Sequence, residues 1–186
     1  MPIIPKLRGI FYAVTAPIFL RRVGKGTMFF GNFRWANFGM NATIGRRCMI
    51  GYGVFMQIGR KASVVIGDYS SINTGCHVVA STKITIGSNV AIGEYVTIRD
   101  QDHLFTPKNG VRGEGFFSAP VIIEDNVWIG RGVHIGPGSL IQSGTIVAAN
   151  SVVNGTVGPN ELVAGAPAKA KRRIGPDGKR LPMLDD

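Results

Sequence analysis

The chain has 186 residues, 45% of them hydrophobic, with 26 Gly and 10 Pro. That length suits one domain with a sizeable core, and Gly without a three-residue period excludes collagen. The formal net charge of +10 favours anionic partners, but no recognition motif accompanies the cations, which argues against nucleic acid.

Residues 1–40 read as an N-terminal capping segment. The apolar run Gly9–Leu20 is flanked by Lys6, Arg8, Arg21 and Arg22. Its basic start resembles a signal peptide, yet no small-x-small cleavage site follows, and the run is too short to span a bilayer. Two readings stay open: a short helix capping the end of the fold, or a peripheral membrane contact through residues 1–25. Pro17 ends or bends the run. An aromatic-rich stretch follows, with Phe29, Phe30, Phe33, Trp35 and Phe38.

From residue 41 to about 165 aliphatic residues keep a six-residue beat: Ile44, Ile50, Ile58, Ile66, Ile72, Val78, Ile86, Ile92 and Ile98. Steps of eight intrude, which extra corner residues such as Arg60–Lys61 explain. Cys48 and Cys76 each lie four residues after a core aliphatic. They read as buried thiols at different corners, not as a disulfide, which suits a reducing compartment.

The beat stops after Ile98 and resumes at Ile123. Between them Arg99–Pro120 is polar, Gly-rich and charged, and should be extruded as a loop on a rigid scaffold. It carries His103. A neutral imidazole can take a proton from an acceptor hydroxyl. A second partner must fix its tautomer, and Asp100, Asp102, Glu124 and a backbone carbonyl are the candidates.

The strict part of the beat is Ile123, Ile129, Ile135, Ile141, Val147 and Val153, with Val127, Val133, Ser139, Thr145, Ser151 and Val157 four residues later. Neither the helix period nor the strand period gives a six. One short strand plus one corner of a triangular parallel β-helix does, so the fold class is all-β, with about five to seven coils. A basic C-terminal tail, 166–186, holds Lys169, Lys171, Arg172, Arg173, Lys179 and Arg180.

These hexads, the Trp128-Ile129-Gly130 segment and the Gly165-Ala166-Pro167 turn before a basic run resemble the hexapeptide-repeat acyltransferases, in particular maltose, galactoside and capsular-polysaccharide O-acetyltransferases. The resemblance covers roughly residues 41–173 and implies a left-handed β-helix with an extruded loop and short terminal helices. It implies a homotrimer with acetyl-CoA in the groove between subunits, no metal, and His103 as catalytic base in direct transfer. It places the oxyanion donor at the main-chain N–H of Arg131. Trp128, Gly130, Ala148 and Ala149 would line the pantetheine channel, and Lys169, Arg172 and Arg173 would meet the phosphates. Asn73, His77 and Asp102 would lie at the acceptor. Plainer readings stand beside these: Trp128 as a trimer contact, Gly130 as corner geometry, Asn73 as a turn cap and His77 as surface. His134 receives no role.

The implied function is acetyl-CoA-dependent O-acetylation of a sugar or glycan hydroxyl in surface polysaccharide biosynthesis, in the cytoplasm or at its membrane face. One departure bears on the acceptor: relatives that acetylate free sugars carry acidic acceptor ligands early in the chain, and here no Asp or Glu precedes Asp68. An antibiotic or amino-sugar acceptor is the alternative. A γ-class carbonic anhydrase needs a closely spaced His pair, which His77, His103 and His134 do not form. A polymerising β-helix scaffold has no reason for a His-bearing loop, and Cys76 as an acyl carrier conflicts with its inward seat.

Overall fold

The computed structural model describes residues 20–31, 34–37 and 41–182. Short strands wind into a three-sided prism. Side A stacks Arg22–Val23, Ala42–Ile44, Ser63–Ile66, Lys83–Ile86, Val121–Ile123, Leu140–Ile141 and Thr156–Val157. Side B stacks Met28–Phe29, Met49–Ile50, Ser71–Ile72, Ala91–Ile92, Trp128–Ile129, Ile146–Val147 and Glu161–Gly165. Side C stacks Arg34–Asn37, Phe55–Ile58, His77–Ala80, Thr97–Arg99, His134–Ile135 and Val152–Val153. Pairing along each side is parallel, so like positions align from coil to coil: Ile66, Ile86, Ile123 and Ile141 form one column.

The beat is the core. Every aliphatic that marks it, from Ile44 to Val153, is at most 1% exposed. Burial of each contributes roughly 1.5–3 kcal/mol, most of it offset by the entropy of ordering the chain. The seat four residues later fills the corner, and polar side chains there find carbonyls inside the prism. Ser70 Oγ donates to Gly87 O at 2.8 Å and Ser139 Oγ to Gly136 O at 2.7 Å. The buried thiols of Cys48 and Cys76 do the same, to Gly67 O at 3.1 Å and Gly93 O at 3.0 Å, and both are free of disulfides. Most corners turn through a left-handed residue, a conformation that Asn tolerates, such as Asn126 (φ 60°) and Asn150 (φ 58°).

Two expectations are corrected. No helix occurs among the described residues, and none there crosses a membrane. The proposed N-terminal helix lies outside the described residues, apart from Leu20, which is buried against the core. At the C-terminus the segment read as a tail is strand: Ala168–Ile174 turns back antiparallel on Glu161–Gly165, and Arg180–Leu181 pairs onto it in turn. The physical reason is the open edge of the last side B strand, whose unpaired groups the returning chain satisfies. The extruded segment is also ordered. It leaves side C as an arm in which Gln101–His103 pairs antiparallel with Phe116–Ser118.

Candidate active site

The three edges of the prism share one backbone geometry but differ in how their amides are satisfied. At the edge between sides A and B, side chains accept from four of the second corner residues, while the N–H of Asp125 there has no acceptor among the described residues. The N–H of Arg46 donates to Asp68 Oδ1 (2.7 Å), that of Asp68 to Ser88 Oγ (3.2 Å), that of Ser88 to Asp125 Oδ1 (2.7 Å) and that of Ser143 to Glu124 Oε2 (2.8 Å). At the edge between sides B and C the matching residues are Thr74, Glu94, Arg131 and Ala149. Their N–H groups have no acceptor among the described residues. Amides without acceptors have hydrogen-bonding capacity left to donate to an oxygen that carries negative charge.

Arg131 is one of these residues. Its carbonyl accepts from Asn150 N at 2.9 Å, while its guanidinium lies over the Tyr95 ring, 5.4 Å from the centroid. The side chain is thus held aside and the amide stays open. Gly93, one coil below, keeps it so: a Cβ there would come within 2.8 Å of Arg131 N. Sequence reasoning missed Gly93, because Gly is common just after the beat residue and nothing marks this one. Gly130 fits the plainer reading as well as the channel reading, since a Cβ would lie 2.6 Å from Ala149 N.

Side B supplies an apolar strip beside that edge. Ser71, Ala91, Trp128, Ile146 and Leu162 are in register along its outer face, and Arg172 continues the column. Trp128 is 51% exposed, which agrees with the outward position read from its place in the hexad. Three strand spacings, ~14 Å, separate Trp128 from Arg172. The register shift between Leu162 and Val163 sets Lys169 opposite Ala164 and Arg172 opposite Leu162, so the bulge returns both cations to one face. Arg173 lies opposite Glu161, and all three cations are exposed. Asn73 and His77 are exposed at the same edge, two coils below Arg131, where His77 stacks on Phe55 with ring centroids 5.4 Å apart.

The arm holds His103 at the other end of side C. The imidazole is exposed and packs on Phe116, with centroids 4.4 Å apart. Of its sequence-stated partners, Glu124 is engaged by Ser143, and Asp102 Oδ1 accepts from the main-chain N–H of His103 at 2.8 Å. Asp100 is buried at the arm's root and accepts from Ser81, Thr82 and Lys83. Among the described residues, none hydrogen-bonds the ring itself. His134, given no role from the sequence, is half-buried on side C; burial and then the Arg99 cation push its pKa down, against Asp102. Burial raises the Cys76 thiol to about 11, which leaves it without the thiolate an acyl carrier needs.

Within one chain, therefore, the residues expected at the cofactor gather on side B and at its edge with side C, while His103 and Asp102 stand across the width of side C. A family model described as bacterial transferase hexapeptide (six repeats) matches residues 120–155. A putative lipopolysaccharide biosynthesis O-acetyl transferase of Escherichia coli is 30% identical over 141 residues, covering 72% of this chain and 69% of that protein. The galactoside O-acetyltransferase of the same organism is 33% identical over 135 residues, covering 73% and 65%. The crystal structure of a hexapeptide-repeat acetyltransferase of Vibrio cholerae complexed with acetyl-CoA superposes with TM-score 0.61 and 26% identity, over 88% of this chain and 76% of that one. The chain belongs to the hexapeptide-repeat acyltransferase family. It spans about half to two thirds of the length of the curated relatives it matches.

Proposed function

We propose that the protein is an acetyl-CoA-dependent O-acetyltransferase that modifies a sugar or glycan hydroxyl in surface polysaccharide biosynthesis. The observation that carries the reading is the edge at Arg131, an amide without an acceptor beside an outward Trp strip that ends in cations. Those residues fit the cofactor: an apolar strip for its pantetheine arm, Lys169, Arg172 and Arg173 for its phosphates, and Trp128, Gly130, Ala148 and Ala149 around the channel. Bound acetyl-CoA supplies an acetyl thioester.

The chain's residues do the rest. A ring nitrogen of His103 takes the proton of the acceptor hydroxyl as its oxygen attacks the acetyl carbon. The Arg131 N–H donates to the carbonyl oxygen as negative charge gathers there. The C–S bond breaks, and His103 returns its proton to the departing sulfur. Asn73, His77 and Asp102 hold the acceptor. Because His103 and Arg131 lie at opposite ends of side C in one chain, a second copy must bring its arm to this edge, which supports a homotrimer with shared sites. The name of the lipopolysaccharide relative supports a surface glycan, and the early absence of acids suits a larger acceptor than a free sugar. On this reading the reaction runs in the cytoplasm, with the N-terminal apolar run either capping the prism or touching a membrane surface; Leu20, buried against the core, favours the cap.

The test is release of the CoA thiol against a panel of simple sugars, glycan intermediates and antibiotics, with His103→Ala alongside. Turnover should appear with a hydroxyl-bearing glycan and fall at least ~10²-fold in the variant, with acetyl-CoA binding retained. Turnover of antibiotics alone would move the acceptor class. An unimpaired variant would remove His103 as the base.

A further inference from the structure

We infer that Asp100 is a positioning residue for His103: its buried carboxylate pins the root of the arm and so sets where the imidazole sits. The inference rests on the reading of His103 as the base. Asp100 is 0% exposed. Its Oδ1 accepts from Ser81 N at 2.6 Å, and its Oδ2 accepts from Thr82 N at 2.6 Å, Thr82 Oγ1 at 2.8 Å and Lys83 N at 2.7 Å. Those three residues turn the edge between sides C and A one coil below.

The main chain of Asp100 is committed too. Its N–H donates to Val79 O at 3.3 Å, and its carbonyl accepts from Ala119 N at 2.9 Å, where the arm returns. One residue therefore ties the outgoing strand, the incoming strand and the coil beneath. Beside it Ser81 Oγ donates to Gln101 Oε1. A buried charge is costly unless fully hydrogen-bonded, and here donors meet both oxygens.

The chemistry needs a carboxylate. It is acceptor-only, whereas the amide of Asn would turn two N–H donors toward backbone N–H groups. Beyond the root the arm is a two-stranded hairpin, marginal on its own, so its direction is fixed where it joins the prism. His103 is three residues out, ~10 Å of extended chain. A tilt of ~10° at the root would move the ring by ~2 Å, and misplacement by ~1 Å is enough to cost ~10²-fold.

The experiment uses the full-length protein, with Asp100→Asn, Thr82→Val, His103→Ala and the Asp100→Asn/His103→Ala pair. Hydrogen–deuterium exchange by mass spectrometry follows the arm peptides (101–103, 116–118) and the core strands at Ile129 and Val147. Kinetics use acetyl-CoA and the acceptor best turned over in the panel. Asp100→Asn should speed exchange in the arm at least ~10-fold, with the core strands unchanged. It should lower kcat at least ~10-fold with KM for acetyl-CoA within ~2-fold, and add nothing to the loss in His103→Ala. Thr82→Val, which removes one donor and keeps the rest, should shift both readouts the same way by less, and serves if Asp100→Asn does not fold. Unchanged arm exchange, or a loss that multiplies fully with His103→Ala, would overturn the inference while the base assignment stands. Full turnover by His103→Ala would overturn the base assignment and this inference with it.

Discussion

Two edges of the same prism carry the same turn and opposite chemistry. Between sides A and B, Asp68, Ser88, Asp125 and Glu124 reach out to the amides of Arg46, Asp68, Ser88 and Ser143 and close them. Between sides B and C, the residues at the matching positions leave Thr74, Glu94, Arg131 and Ala149 open. The backbone repeats and only the side chains differ. A repeat scaffold thus offers many similar corner amides and side chains close some of them, because an amide satisfied inside the protein has nothing left for a ligand.

The largest expected effect that tests this contrast is on His103. Delivered to the open edge, it should account for at least ~10²-fold in turnover, read as thioester loss in His103→Ala. Next comes a matched pair of glycines. A Cβ on Gly93 would come within 2.8 Å of Arg131 N, and one on Gly67 within 2.6 Å of Ser88 N at the closed edge. Either Gly→Ala change should cost about 1–3 kcal/mol of stability, seen as a lower Tm. Only Gly93→Ala should also cut kcat, by about tenfold if the amide moves as the transition-state donor. Equal losses of kcat in the two variants would break the contrast.

Trp128→Ala follows, with Kd for acetyl-CoA raised about tenfold by calorimetry. Because Trp128 is half exposed, its Tm should barely change. Lys169→Ala with Arg172→Ala should weaken acetyl-CoA about three- to tenfold at low salt and less at high salt.

The smallest effect concerns His134. Its depressed pKa means that the unfolded chain binds the proton more readily near the ordinary His value of ~6.5. This contribution is fully present above that pH and is lost as pH falls through the lower folded value. Tm should therefore drop between pH 7.5 and 5.5 slightly more for the native protein than for His134→Gln.

What the sequence disclosed follows from periodicity. The beat marks inward residues, so the core from Ile44 to Val153, the corner seats of Cys48 and Cys76 and the outward Trp128 were legible. So was the point where the arm leaves, because the beat stops there. The grip of Asp100 on Ser81, Thr82 and Lys83 was not, since it joins residues 17 to 19 positions apart on successive coils outside the repeat. Gly93 looks like every other corner glycine until the neighbouring coil is stacked on it. The C-terminal strand was hidden because its partner is an edge exposed only once the last coil is in place, and its basic residues alone suggested a solvated tail.

That returning strand has a consequence for how molecules meet end to end. Another chain seeking to prolong the stack would need a template running the same way on all sides. On side B it would meet Ala168–Ile174 and then Arg180–Leu181, the first reversed in direction and rich in cations. The mismatch of polarity and the mutual repulsion of like-charged ends disfavour fibre growth from this terminus and keep the solenoid a finite particle.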